Sequence, residues 1–330
     1  MIKLERLGIV LMPDGGPEGP FAKFNAGMIR QGNVVHMLYR WGERKRIPGW
    51  KPDLSDPENP IRISDAPYVQ NFISYARLSM DGKLLFDANT PAIYPTVPFE
   101  STGCEDPRIV SFEDAYYIFY TAWDSHKPRV AIAKTTNFER YEKLGIIDNF
   151  TADKDAFIFP KRIKGQIAYV HRIDPSIQID YFDSFEALLD PRSWAGYEQR
   201  VQQQVVLKSE FPEWEGTKIG GSIPPIKTVE GWLFAYHGVG KNRLYHVGMA
   251  LLDRDNPSKV IARLPYPVLS PETDYEFNGD YHGCIFPQGA YLHSDDLYVC
   301  YGAADKYVAM AKVRLDLLLA ELKSYPATNG

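Results

Sequence analysis

Five stretches of the chain repeat one arrangement of apolar and polar positions: Phe24 to Glu43, Glu105 to Asp124, Lys154 to Asp174, Gly220 to Gly240 and Gly283 to Asp305. Each opens on small or polar residues and runs through a short apolar strand. It then turns at Gly, Asp or Asn and returns along an alternating aromatic strand. Two strands across such a turn make a hairpin. A second strand pair follows most of them, at Ile73 to Phe86, Arg129 to Gly145, Tyr245 to Leu264 and Tyr307 to Leu322. Four strands in each of five units predict an all-β fold, a five-bladed β-propeller with blades starting near residues 24, 105, 154, 220 and 283. A short C-terminal helix is predicted where Val313, Leu315, Leu317, Leu318, Leu319 and Leu322 include helical spacings. Residues 43–70, with five prolines and many charges, read as a long surface loop, and residues 200–219 as the link between the third and fourth units.

Composition narrows the class. The 330 residues are 45% hydrophobic and 24% charged, which gives a folded chain with a full core, read as one domain over 1–330. No run approaches the roughly 20 apolar residues of a membrane span, and charges interrupt the apolar start of the chain, so a cytoplasmic location is expected. With 37 basic and 42 acidic residues and no polybasic run, neither nucleic acid nor an anionic membrane is an expected partner. Cys104, Cys284 and Cys300 are odd in number and widely spaced, so no disulfide framework, zinc site or other metal is expected. Aromatic residues reach 13%, which suits sheets and also sugar sites. No nucleophile elbow, phosphate-binding glycine loop, zinc-peptidase motif or dinucleotide fingerprint is present.

In a propeller, the starts of the first strands and the ends of the second converge on one channel mouth. That rule collects Asn25 and Arg40, Asp106 and Arg108, Lys154, Asp155, His171 and Arg172, then Lys218, Tyr236 and His237, then His282, Phe286 and Asp305. Carboxylates, cations, amides and rings aimed at one funnel describe a polyhydroxylated or anionic ligand. Each has a plainer reading: Asp106 before Pro107 as a turn cap, His171-Arg172 as a strand-end pair for Asp174, Lys154-Asp155 as a solvated turn. Their matching positions in different units favour a site.

The pieces Phe24-Asn25, Glu105-Asp106-Pro107-Arg108, Phe159-Pro160, His171-Arg172, Lys218-Ile219-Gly220-Gly221, Gly231-Trp232-Leu233, Tyr236-His237-Gly238-Val239 and Tyr301-Gly302-Ala303-Ala304-Asp305 occur in an order and spacing that resembles glycoside hydrolase family 130. Those β-mannoside phosphorylases and related β-mannosidases are five-bladed propellers. The resemblance implies an inverting glycoside phosphorylase that cleaves β-linked mannosides with inorganic phosphate to give α-D-mannose 1-phosphate. It implies Asp106 as general acid, acting through the 3-hydroxyl of the mannose. It implies Lys154, Arg172, Lys218 and His171 as the phosphate site. Sugar contacts would come from Asn25, Arg40, Asp155, His237, Tyr245, His282, Phe286 and Asp305. No cofactor is implied beyond phosphate as co-substrate. The chain departs from the family's common Arg-Asn at Lys154-Asp155. Lys lacks the guanidinium fork, and the Asp155 carboxylate would repel phosphate unless a neighbour pairs with it.

Two alternatives stay open. A β-mannosidase would need a second carboxylate to activate water, for which Glu210, Glu213 and Glu215 are candidates. A non-catalytic sugar-binding propeller would need no acid at all. A homo-oligomer is also considered, with Trp41 and Trp50 as exposed contacts and the 43–70 segment shaping the second sugar's subsite.

Overall fold

The computed structural model describes residues 1–44 and 68–327. The chain enters on β1 (Glu5–Leu11). A first unit follows, of β2 (Phe21–Gln31), β3 (Val34–Arg44), β4 (Tyr68–Leu78) and β5 (Leu84–Ile93). The second holds β6 (Gly103–Phe112), β7 (Ala115–Trp123), β8 (Arg129–Thr135) and β9 (Glu142–Ile147). The third holds β10 (Lys154–Ile158), β11 (Ile167–Ile173), β12 (Ser176–Phe182) and β13 (Val205–Leu207). The fourth holds β14 (Lys218–Lys227), β15 (Trp232–Val239), β16 (Tyr245–Leu252) and β17 (Val260–Arg263). The fifth is built from β18 (Ile285–His293), β19 (Asp296–Ala303) and β20 (Tyr307–Arg314), with β1 as its outer strand. A helix over Leu315–Lys323 follows and buries Leu318, Leu319 and Leu322, while Val313, expected in it, lies in β20 instead.

Five separate sheets were expected and four are present. The first two units share one sheet because β4 and β6 meet in a parallel pair at Asn71 and Gly103. Within each unit the strands are antiparallel neighbours. The first strands of the units touch in cyclic order: β18 on β2, β2 on β6, β6 on β10, β10 on β14, and β14 on β18. The approach is close. A side chain at Gly289 on β18 would stand 2.1 Å from the Met28 amide on β2, so only glycine fits.

The core lies between units. Met28 and Met37 of the first pack with Cys300 and Met310 of the fifth. Leu38 and Ile73 pack with Ile118 and Tyr120 of the second. Phe112, Phe157, Tyr169, Trp232 and Phe234 join the second, third and fourth units, and Leu233 and Met249 meet Val299 and the C-terminal helix. Strands sandwiched on both faces are mainly apolar on both, as in the wholly buried β15, where His237 is the polar exception. The three cysteines are buried free thiols.

Residues 45–67, hence Trp50 and most of the 43–70 insertion, lie outside the described residues. Trp41 is not the exposed contact expected: it is 9% exposed and stacks under Phe21 at 4.3 Å between ring centroids.

One irregularity repeats in every unit. The first strand slips register at Asn25, at Asp106-Pro107, at Asp155-Ala156, at Ser222 and at Gln288. Such bulges re-aim a side chain out of the pleat. Asn25, Asp106 and Asp155 take φ of 48°, 55° and 56°, a left-handed backbone that Asn and Asp tolerate better than other side-chain-bearing residues.

Candidate active site

The bulges at Asn25 and Asp106 open onto a cavity of about 390 Å³, lined among others by those two, Arg40, Lys154, Arg172, Tyr245, Phe286 and Asp305, whereas Asp155, Ser222 and Gln288 do not line it. Its acid side is one hydrogen-bonded cluster. Asp106 Oδ1 accepts from Asn25 Nδ2 at 2.9 Å and from Arg40 Nη1 at 3.3 Å. Arg40 also donates to Glu105 Oε1 and to Asn71 Oδ1, both at 2.9 Å, and its guanidinium lies 4.7 Å over the Phe24 ring. The amide of Asn25 reaches this position because residue 302 is glycine: a side chain there would sit 1.9 Å from Asn25 Oδ1. Across the cavity, Asp305 accepts from the Cys284 thiol at 3.6 Å. Burial, with Asp106 and Asp280 adding to it and Arg40 opposing, pushes the Asp305 carboxyl up to about 7. Burial likewise raises Glu105, against the pull of Arg40.

The opposite side is cationic. Asp155, 1% exposed, sits between Arg172 Nη1 at 2.7 Å and Arg108 Nη2 at 3.0 Å. Burial alone would raise the Asp155 carboxyl, but the two guanidinium groups hold it well below the usual carboxylate range. The carboxylate that the sequence left as a source of repulsion is thus ion-paired with two arginines, Oδ1 accepting a hydrogen bond from Arg108 and Oδ2 held by charge alone. Arg108 turns away from the Asp106 carboxylate and spans to the Gly221 and Ser222 carbonyls, both at 3.1 Å. Arg172 also pairs with Asp174 at 2.8 Å. Lys218 stands beside this group: burial first, then Arg172 and Lys154, push its ammonium down to about 8. Like charges held together in this way favour an anion among them.

His237 supports the cations from behind. Its Nε2 is 3.3 Å from Arg172 Nη1 and its Nδ1 is 3.2 Å from Ser222 Oγ, while its ring packs on Tyr245 and Phe286. Burial lowers it far below the ordinary imidazole value, so it is neutral and accepts from Arg172.

Some candidates lie elsewhere. His171 is buried on the face of β11 opposite Arg172, held by Asp153 and Asp180 rather than by the cavity. Successive strand residues face opposite ways, so only one of the pair reaches the site. His282 is held at 3.2 Å by the Phe277 carbonyl, outside the lining residues. Tyr236 accepts from Arg263 at 2.9 Å, on the β17 side. Glu215 is clamped by Arg263 at 2.8 Å and caps the Glu210 and Phe211 amides. Neither it nor Glu210 nor Glu213 lines the cavity.

The sequence reading passed over Asn71, Thr102, Glu105, Thr121, Trp123, Ser125, Pro128 and Cys284, which complete the lining. Trp123 ends the second strand of its unit, the position that gave Arg172 and His237, so the same rule reaches it. Asn71 has no such signal, because it lies on a third strand.

A family profile described as beta-1,4-mannooligosaccharide phosphorylase, that of glycoside hydrolase family 130, matches residues 60–324. The chain belongs to this family. Among curated family 130 relatives, a 1,2-beta-oligomannan phosphorylase from Thermoanaerobacter sp. (strain X514) is 32% identical over 317 residues, covering 94% of this chain and 97% of its own. A beta-1,2-mannobiose phosphorylase from the same organism is 34% identical over 295 residues, covering 88% and 90%. Among solved structures, the beta-1,2-mannobiose phosphorylase of Listeria innocua in complex with beta-1,2-mannobiose superposes with a TM-score of 0.77 at 25% identity, over 98% of this chain and all of that one. Among the described residues, no group of three or more His, Cys, Asp or Glu is arranged to hold a metal ion, and no helix is long and apolar enough to cross a membrane.

Proposed function

We propose that this protein is an inverting β-mannoside phosphorylase that takes inorganic phosphate and releases α-D-mannose 1-phosphate. The observation that carries the reading is one cavity with an acid cluster on one side and a paired, crowded cation cluster on the other. Phosphate held by Lys154, Arg172 and Lys218 attacks C1 of the mannose as the bond to the leaving oxygen breaks. Asp106 supplies the proton that this oxygen takes, through the sugar's 3-hydroxyl. Asn25 and Arg40, which already hold Asp106, and Asp305 meet the sugar hydroxyls, with Phe286 as an apolar wall. Asp155 and His237 act one step back, by fixing Arg172. Phosphate is already a nucleophile, so no second carboxylate is required, and the paired state of Glu215 speaks against the base a hydrolase would need.

The five units are read as propeller blades with the cavity at one mouth of the axis, a reading supported by the cyclic contact of the first strands. Three relatives above 30% identity are named for β-1,2 linkages, so β-1,2-mannobiose is the proposed first substrate. Incubation with β-1,2- and β-1,4-mannobiose, with and without phosphate, tests the proposal. Mannose 1-phosphate should form only with phosphate present. Equal release of mannose in phosphate-free buffer would refute it.

A further inference from the structure

Behind the cation cluster lies a buried polar network that the reaction itself does not use. His171 is 0% exposed, and its two ring nitrogens face two carboxylates: Nδ1 is 2.8 Å from Asp153 Oδ2, and Nε2 is 3.0 Å from Asp180 Oδ2. Tyr197 lies 3.0 Å from the same Nε2 and donates to Asp180, and Asn149 donates to Asp153. Trp194 packs edge-on against the ring at 5.6 Å. Burial opposes a charge on His171, but Asp153 and Asp180 outweigh it and raise the imidazole to about 9, so both nitrogens donate.

The placement matters because of what each partner precedes. Asp153 is followed by Lys154 and His171 by Arg172, and Lys154 and Arg172 are directly opposed across β10 and β11. The bulge then interrupts that ladder as far as Phe157, so one registered pair holds the hairpin at its site end. The Asp153 amide also donates to the Pro128 carbonyl at 3.2 Å, and Pro128 lines the cavity in the neighbouring unit. The His171–Asp153 contact is therefore a second tie between the two strands that carry the cations.

We infer that His171 is a positioning residue: through Asp153 it fixes the spacing of Lys154 and Arg172, and hence the fit of the anion between them. This rests on the phosphorylase reading.

Two variants separate this role from simple packing. The amide of His171→Asn can stand where Nδ1 stood and keep the bond to Asp153, whereas His171→Gln reaches the Nε2 position and keeps only Asp180. Small misplacements of binding groups carry large penalties, so His171→Gln should raise the phosphate KM about 10-fold or more. The mannobiose KM should stay within about twofold, and His171→Asn should recover most of the loss. Asp153→Asn, should the histidine variants fail to fold, should show the same phosphate-selective defect. Calorimetric titration with inorganic phosphate is the direct readout. If wild type binds no phosphate, the phosphorylase reading falls and takes this inference with it. If wild type binds phosphate but both histidine variants bind it equally well, or lose phosphate and mannobiose affinity together, the positioning role alone is overturned.

Discussion

Asp155 is the residue whose replacement says most about the site. It is 1% exposed, and its two charge partners, Arg108 at 1% and Arg172 at 4%, are nearly as buried. In Asp155→Asn, Arg172 keeps Asp174 at 2.8 Å, but Arg108 keeps only backbone carbonyls. Removing one partner of a buried ion pair costs about 3–5 kcal/mol. Asparagine retains one acceptor oxygen, which places the expected loss near about 3 kcal/mol. For 330 residues the unfolding entropy is about 0.7 kcal/mol per kelvin, so the melting temperature should fall by about 4 °C. The carboxyl is depressed in the folded state, so its contribution is present above the unfolded value of about 3.9 and disappears as pH falls toward the folded one. The gap between wild type and variant should be constant from about pH 5 to 8 and shrink below about 4. Scanning calorimetry with parallel phosphate titrations reads both effects. If the variant melts with wild type and binds phosphate more tightly, Asp155 merely opposes the anion, and the account of it as the anchor of two arginines is wrong.

Three further outcomes follow from the same geometry. Asp106→Asn should lose about 10²–10⁴-fold in turnover of mannobiose, with partial recovery on a nitrophenyl mannoside, whose leaving group needs no proton. The phosphate KM should rise as pH passes about 8, where Lys218 loses its charge in the free protein; Lys218→Arg, always protonated, should flatten that limb. His171 is raised to about 9, so the stability it adds is full below about 6.5 and is lost as pH rises through 9. Urea unfolding should show wild type losing about 3 kcal/mol more than His171→Gln over that range.

The hairpins were legible because each repeats the same polarity, and their first strands start within three residues of the positions expected. The shared sheet was not, since a single parallel pair at Asn71 and Gly103 leaves no pattern in composition. Asp106, Lys154, Arg172, Phe286 and Asp305 were reached by strand-end position alone. His171 was carried along with Arg172 although strict alternation separates them. The bulge between Glu105 and Arg108 breaks the alternation that would otherwise put Asp106 and Arg108 on one face. Glu215 looked available because its partner, Arg263, is 48 residues away in sequence.

The repeated slip in the first strands limits what the site can become. A residue in a bulge contributes little to the ladder, so its side chain can change while the cores between units stay as they are. At 25, 106 and 155 the left-handed backbone restricts the choice, and Asn, Asp and Gly are the residues that take it at least strain. Those three sockets therefore have a short alphabet: an amide, a carboxylate, or nothing. Ser222 and Gln288 lie outside that region of backbone space, and there burial at 0% exposed sets the limit instead. Exchanging Asn for Asp at such a socket turns a neutral contact into a charge without rebuilding the strand. At Asp155 that charge is absorbed by two arginines already in place. New specificities in this architecture can thus arise one unit at a time, by single-letter edits around a ring, at a cost set by the partners each socket already holds, as at Asp155 with its two arginines.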